Sequence, residues 1–262
     1  MLQNDKLPPA TAALLDDVSV IPAIAEFTLI GGTALALAWG HRRSEDLDFA
    51  IFAEMLPKSV CASIRENLSE KGWRFASITD PDAYFRAVQE GYTLTDIQED
   101  WLCGHADFGK VKVTFFAEFE NSRRPAYDVG PDAYGHVRIM KPEALFSLKS
   151  QLLLRRSLQR DLFDILSFLQ RGWTLEAVYG EMLRADAVYD FNHEIFRTKL
   201  LPSRFPATDP GLQTLVDDGP KTGEEIKALL AGYLDAFERQ IAEEAIERLE
   251  SDAATREQDW EP

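Results

Sequence analysis

Residues 27–49 read FTLIGGTALALAWGHRRSEDLDF, and this stretch decides the fold. A short apolar run ends in a Gly31-Gly32-Thr33 turn, an alanine- and leucine-rich segment follows, and a basic corner leads into a second apolar run. The pattern predicts a strand, a glycine turn, a short helix and a second strand. The turn offers backbone N–H groups and a hydroxyl beside a helix N-terminus, which is an arrangement that binds anions.

Two carboxylates close this stretch. Asp46 and Asp48 alternate with apolar residues, so on a strand both side chains project from one face. Two adjacent carboxylates repel each other unless a cation lies between them. The simplest interpretation is a site for Mg²⁺, or for Mn²⁺ in its place, that faces a phosphate-binding turn. The alternative is a plain turn with an N-cap beside a solvated strand face.

The composition limits the possible classes of protein. The chain has 262 residues, of which 45% are apolar and 27% charged, and it carries a net charge of −16. This is ordinary for a globular protein with a real core, but nucleic acid can bind such a chain only through a local basic patch. Two cysteines without a CxxC motif predict no disulfide framework and no structural zinc. With no signal-peptide pattern and no apolar run long enough to span a membrane, we expect a cytoplasmic protein.

The periodicity of the sequence changes at Lys141-Pro142. Before it, short apolar and alternating runs predict a mixed sheet of about five strands with helices on its faces. After it, helical periodicity predicts helices over 142–156, 159–171, 174–184, 191–201 and 222–250. Three stretches are rich in turn residues. We predict a weakly paired excursion or variable loop over 79–100, a loop over 118–135, and a linker or packed loop over 201–220. We therefore predict an α/β (α+β) region over residues 1–140 and a helical region over residues 141–262.

The spacing of Gly-Gly-Thr, twelve residues and Asp-x-Asp resembles the nucleotidyltransferase superfamily typified by DNA polymerase β. Within that superfamily, GGTALAL at 31–37 followed by HRRSEDLDF at 41–49 is similar to the AbiEii/AbiGii toxin family. These are toxins of type IV toxin–antitoxin and abortive-infection systems, which act in phage defence. The resemblance extends to VKVTFF at 111–116, to Lys149, and to RDLFD at 160–164. It implies a polymerase β-like core followed by a C-terminal helical bundle that completes the active-site cleft.

The resemblance also implies a role for individual residues. Asp46 and Asp48 are expected to hold the metal ion and to be catalytic. Lys149 is expected to contact phosphate and Asp161 to act as the base, although taken alone each is more typical of a surface or helix-terminal charge. The expected nucleotide-binding residues are those of the glycine turn and the basic corner: Gly31, Gly32, Thr33, Arg42 and Ser44.

One position departs from the superfamily pattern. Superfamily polymerases usually have a third carboxylate on a later strand, where this chain has Thr114. A threonine cannot deprotonate a hydroxyl at pH 7. Three possibilities are open: Asp161 takes that role, only one metal ion is held firmly, or the protein binds nucleotide with little turnover. We expect Arg160 to orient Asp161 and Asp164 to be structural.

The implied activity is Mg²⁺-dependent transfer of a nucleotide from an NTP to RNA, especially to the acceptor end of tRNA. A basic patch would receive the RNA, unless it is simply a solvated helix face. Its members are Arg138, Lys141, Lys149, Arg155, Arg156 and Arg160. A cognate antitoxin is the implied protein partner. Two alternatives are a catalytically weak NTP-binding or interaction protein, and a nucleotidyltransferase that acts on a small molecule.

Overall fold

The computed structural model describes residues 6–78, 88–89, 91, 93–185, 191–207, 209 and 212–258, with side chains as far as residue 250. The chain divides into two compact units. The first comprises Met1–Gln151 and Leu212–Gly219, and the second comprises Leu152–Gly211 and Pro220–Pro262. Each unit is described in turn below.

A single sheet organises the first unit. Within the described residues its strands are β1 (Thr28–Ile30), β2 (Leu47–Phe52), β3 (Arg74–Ser77), β4 (Gln98–His105), β5 (Gly109–Glu118), β6 (Asp132–Tyr134) and β7 (Val137–Ile139). Their order across the sheet is β3-β4-β5-β2-β1-β7-β6. β2 pairs with β5 and β1 with β7 in parallel, whereas the other neighbours are antiparallel. The sheet is therefore mixed, and the predicted fold class is confirmed.

Six helices accompany this sheet in the described part of the first unit. They are α1 (Pro9–Ser19), α2 (Gly31–Trp39), α3 (Lys58–Glu70), α4 (Leu94–Ile97), α5 (Arg124–Asp128) and α6 (Pro142–Leu152). Two 3₁₀ segments, Pro22–Glu26 and Asn121–Arg123, complete the connections. α6 lies beyond the sequence-based boundary at residue 140, yet all but its last residue fall in the first unit. Burial of Ala144 and Leu145 and a 3.4 Å hydrogen bond from Gln151 to the Ser122 carbonyl hold it there.

One face of the sheet carries the core of the first unit. Leu47 and Phe49 on β2 lie beside Val113 and Phe115 on β5, and all four are buried. The Phe49 and Phe115 rings stack with their centroids 5.5 Å apart. Because successive side chains of a strand alternate between faces, the intervening residues of β2 and β5 project from the other face.

The sheet has seven strands within the described residues, whereas the sequence predicts about five. The stretch 118–135, predicted to be a loop, contains β6, which pairs with β7 across a two-residue turn. Gly135 in that turn has φ +58, a conformation that glycine adopts at little cost. The stretch 79–100, predicted to be a variable excursion, ends in α4 and the first residues of β4. Residues 79–87, 90 and 92 lie outside the described residues.

The second unit is helical, as predicted. Its helices are α7 (Gln159–Leu169), α8 (Leu175–Ala185), α9 (His193–Leu200) and α10 (Gly223–Gln258). α10 contacts each of the other three. Tyr179, Phe196 and Phe237 form an aromatic core, with the Tyr179 and Phe196 rings edge to face at 5.2 Å. Over the described ranges, neither unit contains a helix with the length and hydropathy to cross a membrane.

Candidate active site

The first turn of α2 lies against the Asp48 carboxylate. Gly31 opens this helix with φ +75, in the left-handed region that favours glycine. A Cβ at Gly31 would come within 2.8 Å of Asp48 Oδ2. The Asp48 carboxylate therefore lies directly beside the residue at which α2 begins. The glycine turn and the aspartate, predicted from separate motifs, are immediate neighbours.

Hydrogen bonds tie the same turn to the loop before β2. The Thr33 hydroxyl donates to the Asp46 carbonyl, and the Thr33 and Ser44 hydroxyl oxygens lie 3.0 Å apart in a second hydrogen bond. Thr33 is only 1% exposed. These contacts fix the start of β2, and with it the two aspartates, relative to the glycine turn. Thr33 and Ser44 therefore connect the glycine turn to the segment that carries Asp46 and Asp48.

Arg42 lies at the glycine turn with its side chain buried. The guanidinium occupies the space into which a Cβ at Gly32 would project, and Ser44 Oγ would be 2.9 Å from the same atom. Arg42 is 4% exposed, and its Nη1 donates to the Arg43 carbonyl at 3.1 Å. A substituent at Gly32 would displace the guanidinium. The structure thus brings together all five predicted nucleotide-binding residues.

A segment from late in the chain holds this basic corner in place. Residues 212–219, which follow a stretch of the second unit, pair with residues 41–43 through an isolated bridge between Arg42 and Thr214. The Arg43 N–H donates to the Gln213 carbonyl at 2.8 Å, and the Leu215 N–H donates to the His41 carbonyl at 3.0 Å. The sequence predicts only a linker or packed loop here. No local signal could have revealed the pairing, because its partners are about 170 residues apart.

Three polar residues lie in a row across neighbouring strands. Asp48 on β2 is opposite Thr114 on β5, and Thr114 is opposite Asp100 on β4. Directly opposite residues project from the same face of a sheet, so all three share the face opposite the aromatic core. The Thr114 hydroxyl donates to Asp100 Oδ1 at 2.8 Å. Asp100 was missed by the sequence reasoning, which began this strand at Trp101.

The carboxylate oxygens of Asp46 and Asp48 are ligands that suit a divalent cation shared with a substrate. In the described ranges, no three side chains of His, Cys, Asp and Glu come together as a ready-made metal centre. Asp46 and Asp48 are both half-buried, the Asp48 carboxylate lies beside the glycine turn, and the Asp46 carbonyl is hydrogen-bonded to Thr33 in that turn. Mg²⁺ is commonly bound by one or two carboxylates together with substrate phosphates. Asp46 and Asp48 would hold such an ion, and this assignment remains a prediction.

Lys149 belongs to the first unit, on α6. Its side chain is 6% exposed, an unusual position for an ammonium group, which is kept in a protein interior only beside counter-charges or acceptors. Ser150 next to it is fully buried, and Ser150 Oγ has no hydrogen-bond partner within the described structure. From the sequence alone, a lysine at position 149 is more typical of a surface residue. The burial of Lys149 argues against a plain surface position.

Asp161 belongs to the second unit, in the first turn of α7. It is 1% exposed and accepts a hydrogen bond from Arg156 Nε at 3.0 Å. The orienting role expected of Arg160 stays a prediction, and the structure adds Arg156 as a residue in direct contact with Asp161. The sequence did contain a signal for this contact: Arg155 and Arg156 come just before a helix that carries Asp161 in its first turn. Asp164 is fully buried, in keeping with the structural role expected of it.

The predicted basic patch is divided between the two units. Arg138, Lys141 and Lys149 lie in the first unit, and the other members lie in the second. Lys141 is already within 4.0 Å of Asp132, and Arg156 is paired with Asp161. Arg138 and Arg155 are exposed. A continuous RNA-binding surface therefore remains a prediction.

The comparisons with known proteins agree on one class of protein, the nucleotidyltransferases. A family model described as "Nucleotidyl transferase AbiEii toxin, Type IV TA system" matches residues 13–260. Among solved structures, the chain is similar to MenT4, a nucleotidyltransferase toxin of Mycobacterium tuberculosis, with 17% identity, 86% of this chain and 82% of that chain covered, and a TM-score of 0.52. The chain is also similar to a protein named as a putative nucleotidyltransferase from H. pylori, with 17% identity, 88% of this chain and 94% of that chain covered, and a TM-score of 0.50. No curated protein sequence matches the chain.

Proposed function

The chain belongs to the AbiEii family of nucleotidyltransferase toxins, and from this premise we propose that it transfers a nucleotide from an NTP to RNA. One observation carries the proposal: the Asp48 carboxylate and the glycine turn of α2 are immediate neighbours. A triphosphate that approaches Gly31 and Gly32 would meet backbone N–H groups, the Arg42 guanidinium and two carboxylates suited to a divalent cation. The site would therefore receive a nucleotide by its phosphates.

The proposed reaction needs positioning more than covalent chemistry. A hydroxyl of the acceptor attacks the α-phosphorus of the NTP in line, a P–O bond forms to the acceptor, and the bond to pyrophosphate breaks. Mg²⁺ or Mn²⁺, when bound at Asp46 and Asp48, neutralises charge on the triphosphate oxygens. Arg42, buried and fixed by its contacts, would supply a charge-assisted hydrogen bond to a phosphate.

Two further residues complete the proposal. Lys149 would contact a phosphate oxygen, because a buried ammonium is stabilised by an anionic ligand. Asp161 would take the proton of the attacking hydroxyl. The Arg156 guanidinium, hydrogen-bonded to Asp161 at 3.0 Å, would hold that carboxylate in one orientation toward the hydroxyl.

The family also suggests the biological setting. We propose that the acceptor is RNA, in particular the acceptor end of tRNA, and that a cognate antitoxin restrains the toxin. NTP and RNA as substrates would place its action in the cytoplasm. An adjacent gene for a small antitoxin would support this setting.

A specific observation supports a second candidate. Thr114 stands opposite Asp48, and a hydroxyl there cannot take a proton from an acceptor at neutral pH. An NTP-binding protein with little turnover would keep the phosphate-binding turn without needing a base. The two candidates differ in whether label from an NTP becomes covalently attached to an acceptor.

A labelling experiment with a matched pair of variants tests the proposal. The protein is incubated with Mg²⁺, total RNA and each labelled NTP in turn. We expect Asp48→Asn to abolish labelling of RNA, because one of the two carboxylates at the glycine turn is lost. Asp107→Asn removes an equal charge from an exposed position and should label RNA as the unaltered protein does. Labelling that survives Asp48→Asn would remove this site from the mechanism, and no labelling with any NTP would favour the second candidate.

A further inference from the structure

The row formed by Asp48, Thr114 and Asp100 gives Thr114 a defined orientation. A hydroxyl has one proton to donate and two lone pairs that accept hydrogen bonds or bind a cation. The Thr114 proton is directed to Asp100 Oδ1 at 2.8 Å. Its lone pairs therefore point away from Asp100, on the sheet face that also carries Asp48.

Asp100 is itself held as an acceptor. Its other oxygen, Oδ2, accepts a hydrogen bond from Gln98 Nε2 at 2.6 Å, and Lys112 Nζ lies 3.6 Å from Oδ1. Three donor groups thus converge on one carboxylate that is largely buried. Each oxygen of the Asp100 carboxylate is engaged by a donor, and Oδ1 accepts from Thr114. The direction of the hydrogen bond between Thr114 and Asp100 is set by these surroundings.

Thr114 is also close enough to the aspartates to act with them. It lies directly opposite Asp48 on the adjacent strand, and adjacent strands are about 4.8 Å apart. Two oxygen atoms that bind the same Mg²⁺, each about 2.1 Å from the ion, lie about 3–4 Å apart. Side chains that project from neighbouring strands can bring their oxygen atoms this close. The described part of the chain brings no third carboxylate to Asp46 and Asp48. A neutral hydroxyl oxygen, fixed in orientation, is available at that place.

We propose that Thr114 binds the same divalent cation as Asp46 and Asp48, and that Asp100 is the positioning residue that presents the Thr114 oxygen to it. The inference rests on the proposed function, because the cation is the one that accompanies the NTP. It explains why a carboxylate is buried one strand away from the site. It also makes Asp100 a residue that acts on the cation only through Thr114.

Binding of Mn²⁺, measured from the electron paramagnetic resonance signal of the free ion, tests the proposal without any turnover. Mn²⁺ is titrated into the full-length protein in the presence of each α,β-methylene NTP analogue in turn. Thr114→Val keeps the shape of the side chain and removes the oxygen, and we expect the affinity for Mn²⁺ to fall about tenfold or more. Thr114→Ser keeps the hydroxyl and should bind Mn²⁺ within about twofold of the unaltered protein.

The positioning role of Asp100 is tested with a double-mutant cycle that combines changes at Asp100 and Thr114. Asp100→Leu should weaken Mn²⁺ binding about tenfold, and the double variant with Thr114→Val should be no weaker than Thr114→Val alone, because both changes remove one interaction. Glu99→Gln is the control: Glu99 is the preceding residue of β4, projects from the other face and pairs with Arg65 at 2.5 Å. It should leave Mn²⁺ affinity unchanged.

The possible results separate the inference from the proposed function. Unchanged Mn²⁺ affinity in Thr114→Val, or multiplicative losses in the double variant, would overturn the inference. If the unaltered protein still attaches nucleotide to RNA in that case, the proposed function stands. If it neither binds Mn²⁺ with any analogue nor attaches nucleotide, both fail. Should Asp100→Leu not fold, as judged by circular dichroism, the Thr114→Val and Thr114→Ser pair decides.

Discussion

Gly31 and Asp48 are in such close contact that a methyl group on Gly31 would lie 2.8 Å from the Asp48 carboxylate. These residues come from the start of α2 and from β2, whose pairing with β1 brings Ile30 opposite Asp48. The relative position of the glycine turn and the Asp48 carboxylate is therefore set by one backbone register.

Gly31→Ala should impair both folding and NTP binding. Alanine in the left-handed region costs about 1–2 kcal/mol, and its Cβ would also displace the Asp48 side chain. Gly180→Ala, inside α8, meets no atom within 4 Å and should slightly stabilise the protein. Thermal unfolding and NTP titration of both variants check this. If Gly31→Ala binds NTP as tightly as Gly180→Ala does, the close contact has no role in binding.

Leu215→Pro should weaken NTP binding by loosening the basic corner. Proline has no N–H, so the 3.0 Å hydrogen bond to the His41 carbonyl is lost and Arg42 is held less firmly. Leu215→Ala keeps the N–H and is the matched control. We expect a several-fold weaker affinity for NTP in the proline variant, measured by isothermal titration. Equal affinities in the two variants would show that residues 212–219 do not position Arg42.

Arg156→Gln should lower the rate of nucleotide transfer while leaving NTP affinity near its normal value. The Arg156 guanidinium is hydrogen-bonded to Asp161, so its loss leaves the proposed base without its orienting contact. Arg184→Gln removes an arginine from an exposed position of the same unit and should transfer nucleotide normally. Single-turnover rates at saturating NTP give the comparison. A rate unaffected by Arg156→Gln would argue against the role of Asp161.

The two cysteines should be unreactive in the folded protein at pH 8. Burial raises the pKa of Cys61 and of Cys103 to about 12, so almost no thiolate forms at that pH. An unfolded thiol loses its proton near pH 9, so the free energy of unfolding should fall as the pH rises from 9 toward 12. Labelling with a maleimide, with and without denaturant, checks the first statement. Rapid labelling of the native protein would show that one of these thiols is accessible.

The stretch 27–49 was predictable because its signals are local. An apolar run, two glycines and a second apolar run specify a strand, a turn into a helix and a strand, and the structure contains β1, α2 and β2 at those places. The helices of the second unit follow from periodicity in the same way. The proximity of the five residues predicted to bind nucleotide could be expected because they lie within fourteen positions of each other.

The contacts that depend on pairing of distant segments were not predictable. Thr114 and Asp100 meet because β4 and β5 pair in one register, and a shift by one residue would put Asp100 on the other face. Thr214 reaches His41 across 173 positions of sequence. Such contacts leave no periodic signal in a single chain.

The most direct test of nucleotidyl transfer compares two positions of label in one NTP. RNA is incubated with the protein, Mg²⁺ and NTP that carries ³²P at either the α- or the γ-phosphate. We predict that the α-label becomes attached to RNA while the γ-label leaves with pyrophosphate. Transfer of the γ-label, or attachment of neither label with any NTP, would contradict the account.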